Sequence, residues 1–149
     1  ESLTSVDLVM KEALRLRPPV PVLVRQAVKD TVVQGHAIPA GSYVVLGLQW
    51  SHLMEEHWSD PTAFDPERFS ADRREDKSHR YAWEPFGGGV HKCIGLHFAG
   101  AEIKSILHRL LRRFEWSVPP DYVPTFDNHS LPLPTDGQPI NLTHLRRHR

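Results

Sequence analysis

The chain has 149 residues, enough for one domain with a hydrophobic core, because chains of this size bury roughly 70% of the surface they expose when unfolded. Its 18 basic and 18 acidic residues cancel, which argues against a general nucleic-acid or polyanion binder, and the single cysteine, Cys93, excludes an internal disulfide. The apolar runs fall far short of the roughly 20 residues that a membrane helix needs, and the residues from Glu1 onward carry no signal-peptide pattern.

Between Ser5 and Leu16 the apolar residues Val6, Val9, Met10, Ala13 and Leu16 recur at helical spacing, and Pro18-Pro19 forbids continuation, so an amphipathic helix is expected there. Glu12 and Arg15 flank its apolar stripe, which places them at the edge of the core. β-Branched residues then dominate at Val20 to Val24, Thr31 to Val33 and Tyr43 to Leu48, separated by Lys29-Asp30, Gly35 and Pro39-Ala40-Gly41; these read as short strands of one small sheet. Ser59-Asp60-Pro61 has the form of a helix start with proline first, Asp65-Pro66-Glu67-Arg68-Phe69 reads as irregular, and the charged stretch from Asp72 to Arg80 as an exposed loop.

Four of the nine glycines fall between Pro85 and Gly95. Phe98, Ala99, Ile103, Ile106, Leu107, Leu110, Leu111 and Phe114 follow at helical spacing, so a glycine loop opens a long buried helix reaching about Phe114. Beyond Pro119-Pro120 the chain is loop-like, Leu131-Pro132-Leu133-Pro134 suits a hairpin tip better than a regular strand, and the run from His144 to Arg149 reads as a solvated basic tail. The expected class is mixed α+β, mainly helical, with residues 1–149 belonging to one domain.

Cys93 stands between the glycine loop and the helix start, where free N–H groups and the helix dipole favour a thiolate, and Gly87, Gly88 and Gly89 leave room for a flat ligand against the backbone. An isolated cysteine is more often structural. Phosphate binding fits poorly: Lys92 is followed by Cys93 where a phosphate loop needs Ser or Thr, and it occupies the third glycine position of a dinucleotide loop counted from Gly87. A zinc site from His91, Cys93 and His97 lacks an evident fourth ligand, and ten histidines make such proximity ordinary.

The run Phe86-Gly87-Gly88-Gly89-Val90-His91-Lys92-Cys93-Ile94-Gly95 resembles the haem-binding signature of the cytochromes P450, Phe-x-x-Gly-x-x-x-Cys-x-Gly. Glu12-x-x-Arg15, Pro66-Glu67-Arg68-Phe69 and Ala99-x-x-Glu102 occur in that family's order. The turn Gln34-Gly35-His36 and the surroundings of His91 are most similar to sterol 14α-demethylases and related bacterial members.

The resemblance implies the C-terminal part of the cytochrome P450 fold: helix, small sheet, meander, cysteine loop, long helix and terminal hairpin. It implies haem b, with Cys93 as the axial ligand whose electron donation favours O–O cleavage. Phe86 would shield the sulfur, Gly87, Gly88, Gly89 and Gly95 with Ala99 would line the cofactor, and loop N–H groups would tune its potential. Arg25 and His91 would meet the propionates; the family's usual residue at the latter position is arginine, so His91 makes that contact sensitive to pH. Glu12, Arg15 and Arg68 would form a buried ion-pair triad of structural importance. Val22, Leu23 and Leu131 match segments that line the substrate pocket, although ordinary core packing accounts for them equally well.

The implied activity is insertion of one atom of O2 into an apolar substrate such as a sterol or other lipid, with electrons from a ferredoxin or a flavin reductase docking on a basic surface that includes Lys92 and Lys104. The family's oxygen-activating acid and alcohol lie on a helix N-terminal to the matched region, so these 149 residues alone are expected to be inactive. An inactive truncated remnant or haem-binding module is the alternative. A bacterial member would be cytoplasmic, and membrane attachment depends on sequence outside this chain.

Overall fold

The computed structural model describes residues 2–128 and 131–145. Two long helices frame the fold: α1, Ser2–Leu16, and α3, Leu96–Leu111. They pack on each other, and Lys104 of α3 reaches Asp7 of α1 at 3.1 Å. Strand β1 (Val22–Gln26) pairs antiparallel with β4 (Tyr43–Gly47) over five positions, from Val22 opposite Gly47 to Gln26 opposite Tyr43. Between them β2 (Thr31–Val33) and β3 (His36–Ile38) form a hairpin whose turn residues, Gln34 and Gly35, both have positive φ (49° and 84°), as a tight two-residue hairpin demands. The expected single sheet is thus two separate ladders, and β3 escaped the sequence reading because only one of its three residues is β-branched.

A one-turn helix, α2 (Leu48–Ser51), follows β4 directly, and a meander built on two 3₁₀ turns, Pro66–Phe69 and Glu75–Lys77, leads to the cysteine loop. No helix starts at Ser59-Asp60-Pro61, contrary to expectation. Asp60 has φ 41°, and the carbonyls of Ser59 and Pro61, which a helix would use internally, accept instead from the guanidinium groups of Arg68 and Arg15, while the Asp60 carbonyl is shared between Arg68 and the Ala63 N–H of a single turn.

Helix α3 stops at Leu111 and not near Phe114. Phe114 opens strand β5 (Phe114–Ser117), which pairs with β8 (Asn141–His144), while β6 (Phe126–Asp127) and β7 (Leu133–Pro134) make a two-position ladder. Accordingly His144 is not part of a solvated tail: its ring stands edge-on to Phe114 at 5.2 Å, and the Leu145 N–H donates to the Arg113 carbonyl at 2.8 Å. The rest of that basic run, residues 146–149, lies outside the described residues.

The interior is charged at its centre. Buried apolar residues are Val6, Met10, Leu48, Trp58, Phe69 and Ala82, but Glu12, Arg15, His52 and Arg68 are each 0% exposed. The chain exposes 11475 Å², against roughly 7,700 Å² for a compact monomer of 17.0 kDa. The excess is apolar in part, with Val90, Ile94 and Phe98 around the cysteine all strongly exposed. No helix among the described residues is long and apolar enough to cross a membrane.

Candidate functional site

Cys93 is free and exposed at the end of a loop shaped by hydrogen bonds and glycine. The Gly87 N–H donates to the Glu84 carbonyl at 2.9 Å, and the Cys93 N–H to the Phe86 carbonyl at 2.9 Å, closing the loop on itself. Gly87 and Gly89 hold φ at 68° and 64°, a conformation that costs an L-residue roughly 1–2 kcal/mol. A Cβ on Gly87 would also touch the Leu23 side chain at 3.4 Å. Gly89–His91 forms a 3₁₀ turn, and Gly95, whose carbonyl accepts the Ala99 N–H at 2.8 Å, caps α3 directly behind the sulfur.

A cleft of about 290 Å³ is lined by Cys93, Phe86, Gly87, His91, Leu23, Leu48, Leu14, Pro19, Val20 and Pro85. A neighbouring hollow of about 500 Å³ brings Arg25 and His91 together with Leu23, Gly88 and Gly89. The structure therefore unites the cysteine, the glycines, the aromatic residue, the two polar groups and one apolar wall residue. Val22, next to Leu23 on β1, points to the other side of the ladder, as strand geometry requires, and lines a separate hollow with Pro21, Gln49, Trp50 and Leu53. Leu131 is half exposed, and Ala99 lies half-buried one turn into α3.

These features fit a flat prosthetic group with a thiolate ligand: a soft donor at an open position, glycines where side chains would intrude, apolar walls, and cationic or polar groups gathered to one side. They do not fit zinc, since no three of His, Cys, Asp and Glu converge as a metal site among the described residues.

Behind the loop lies the ionic centre. Glu12 takes Arg15 in a two-point contact, Oε2 with Nε at 2.7 Å and Oε1 with an Nη at 2.8 Å. Its Oε1 also accepts from Arg68 Nε at 3.0 Å and from the Asp65 N–H at 2.9 Å. Arg15 donates further to the carbonyls of His52, Pro61 and Ala63, and Arg68 to those of Ser59, Asp60 and Ala63 and to Glu75. Glu12 and Arg15 are consequently the middle of the core and not its edge. Arg73, Arg68 and the Ser59 hydroxyl and N–H hold the Glu75 carboxylate down at a pKa of about 2 against the opposing effect of burial. Among the described residues no buried side-chain polar atom lacks a partner.

His52 is the residue that the sequence did not single out. Burial holds its imidazole neutral, with a pKa lowered to about 4, aided by the adjacent Arg15 charge and opposed by a bond to the Arg15 backbone. Nothing in spacing marks it among ten histidines; the three-dimensional meeting of α1 with the root of the cysteine loop does. Lys104, expected on a basic docking surface, is instead engaged with Asp7, whereas Lys92 is exposed and lines a hollow with Arg80, Trp83 and Phe86.

The family model for cytochrome P450 matches residues 1–142. The chain is 52% identical over 143 residues to a provisionally named cytochrome P450 136 of Mycobacterium tuberculosis, covering 95% of this chain and 29% of that protein. It is 36% identical over 148 residues to a sterol 14α-demethylase of Mycolicibacterium vanbaalenii, covering 97% of this chain and 32% of that one. Among solved structures, the retinoic acid-bound cyanobacterial CYP120A1 superposes with a TM-score of 0.88 at 34% identity, over 95% of this chain and 33% of its own. The chain thus spans about a third of the length of these relatives.

Proposed function

Since the chain belongs to the cytochrome P450 family, whose members bind haem, we propose that it supplies the thiolate side of the haem site in a monooxygenase acting on an apolar substrate. One observation carries the reading: Cys93 sits exposed at the mouth of a glycine loop with Leu23, Phe86 and His91 on one cleft. Haem bound there would supply reductive activation of O2 and transfer of one oxygen atom, with thiolate donation favouring O–O cleavage.

The chain's own residues perform the holding. Cys93 would ligate the iron, on a loop held by the Cys93 N–H to Phe86 carbonyl bond; Gly87, Gly88 and Gly89 would leave room for a flat face, and Gly95 and Ala99 would keep the start of α3 small. Arg25 and His91, which share one hollow, take anionic groups at the edge of the cofactor. Leu14, Pro19, Val20, Leu23 and Leu48 exclude water from that side. These apolar walls, together with the sterol and retinoic acid in the names of two relatives, support a lipid-like substrate. Exposed Lys92 beside Arg80 supports an acidic electron donor, a ferredoxin or a flavin reductase.

The test is the spectrum of the reduced carbon monoxide complex after haem reconstitution. It is recorded for the chain alone and for the chain joined behind the preceding part of the Mycobacterium tuberculosis relative. A strongly red-shifted Soret band that Cys93→Ser abolishes is expected. The same spectrum with and without the cysteine would sink the assignment.

A further inference from the structure

We infer that His52 is a positioning residue for the cysteine loop, acting as a neutral two-ended strut between helix α1 and the root of the loop; this rests on the haem-thiolate reading of Cys93. The imidazole is wholly buried. Its Nδ1 lies 3.1 Å from the Arg15 carbonyl, and its Nε2 lies 2.9 Å from the Glu84 nitrogen. A backbone carbonyl only accepts and a backbone N–H only donates, so both contacts are satisfied by one species alone. That species is the neutral ring with its proton on Nδ1 and a lone pair on Nε2.

What the strut holds is specific. Glu84 is fixed through its N–H by His52, and its carbonyl accepts the Gly87 N–H; two residues from Glu84, the Phe86 carbonyl accepts the Cys93 N–H. A chain of backbone bonds thus runs from a histidine far from the cysteine in sequence to the sulfur-bearing residue itself. On the other side, His52 is tied into the ionic centre twice, since its own carbonyl accepts from Arg15 and its ring donates to the Arg15 carbonyl. Alongside it, the Trp83 Nε1–H donates to the Lys11 carbonyl at 3.2 Å, so Trp83 and Glu84 are both anchored to α1 or its neighbour immediately before the loop begins. Among the described residues no side-chain hydrogen bond joins Glu12, Arg15 or Arg68 to residues 84–93, so the hydrogen-bonded path from the ionic centre to the cysteine loop runs through His52.

Two substitutions separate positioning from general stability. In His52→Asn the side-chain nitrogen overlays Nδ1 and keeps the bond to the Arg15 carbonyl while leaving the Glu84 N–H without an acceptor. In His52→Gln the side-chain oxygen overlays Nε2, keeping the Glu84 bond and giving up the other. Amide hydrogen exchange in the haem-free chain at neutral pH should show the Gly87 and Cys93 N–H groups exchanging about tenfold faster in the Asn variant than in the Gln variant, the ratio of one hydrogen bond of ordinary net strength. After haem loading, the thiolate-type band should persist in the Gln variant and fall in the Asn variant. Equal exchange at Gly87 and Cys93 in the two variants would overturn the proposal. So would nitrogen chemical shifts placing the His52 proton on Nε2 in the unaltered chain, a measurement that needs no variant to fold. The exchange and shift measurements are made without haem, so their failure is distinct from a failure of Cys93→Ser to change the spectrum.

Discussion

Replacing Glu12 by glutamine keeps the shape of the side chain and removes its charge, and the contacts around it fix what is lost. Oε1 accepts from Arg15, Arg68 and the Asp65 N–H, whereas Oε2 meets Arg15 Nε alone. The amide will therefore turn its oxygen to the three-donor position and its NH2 against Arg15 Nε, donor facing donor. Two guanidinium groups with 0–1% exposed side chains are left without their common anion. Breaking a buried ion pair from one side costs about 3–5 kcal/mol, a large part of the 5–15 kcal/mol that separates folded from unfolded domains. Removing the whole centre is the informative contrast. In other proteins, exchanging a buried ion cluster for apolar residues is often neutral or stabilising. Here Arg15 and Arg68 also satisfy the carbonyls of His52, Pro61, Ala63, Ser59 and Asp60; the Asp60 carbonyl keeps a second donor, the Ala63 N–H, so the triple variant Glu12→Leu, Arg15→Met, Arg68→Met orphans the other four acceptors at roughly 1–3 kcal/mol each. Urea unfolding followed by the fluorescence of Trp58, which lies 5.1 Å beneath the Arg15 guanidinium, should place the triple variant below Glu12→Gln. A triple variant as stable as the parent would refute the view that these arginines serve the carbonyls.

The histidine at the loop root predicts a pH profile. Its folded pKa of about 4 lies below the ordinary 6.5, so its contribution is fully present above pH 6.5 and is lost as pH falls towards 4, on the order of 3 kcal/mol in all; His52→Gln should flatten urea midpoints across that window. Glu75, lowered from 4.5 to about 2, contributes above pH 4.5 and loses its effect as pH falls towards 2, so the two effects overlap only below pH 4.5. Gly87→Ala, at φ 68° and against Leu23, should cost roughly 1–2 kcal/mol in thermal unfolding and reduce haem uptake, whereas Lys104→Ala, which removes a partly exposed pair with Asp7, should cost about 1 kcal/mol or less. Cys93, free and exposed, should react with a thiol reagent in the native haem-free chain, and bound haem should protect it.

Local signals were enough for the parts that obey local rules. Apolar spacing with a proline stop located α1, and glycine density followed by a helical stripe located the cysteine loop and α3. The one-residue-wide reading of strands failed where pairing is remote: β5 is defined by β8, some two dozen residues away, and both are exposed enough to carry no alternation, so Phe114 passed for the end of a helix. Spacing alone placed Glu12 and Arg15 beside the apolar stripe, and only the family resemblance implied their buried triad with Arg68; that burial depends on carbonyls from a meander that no periodicity describes. His52 lacked any signal for the same reason, since both of its partners are backbone groups, 37 and 32 positions away.

A centre made of guanidinium, carboxylate and imidazole, with Val90, Ile94 and Phe98 left outside, also sets how the chain responds to temperature. The heat capacity of unfolding rises with apolar surface newly wetted and falls with polar surface, and an average domain gains about 12–15 cal/mol/K per residue. This interior releases a large polar share, with Glu12, Arg15, His52 and Arg68 buried beside a small apolar core, while Val90, Ile94 and Phe98 are already hydrated. Its stability curve should therefore be shallow, nearly straight with temperature, and only weakly prone to cold denaturation, the behaviour of a lattice of hydrogen-bonded ions more than of an oil drop.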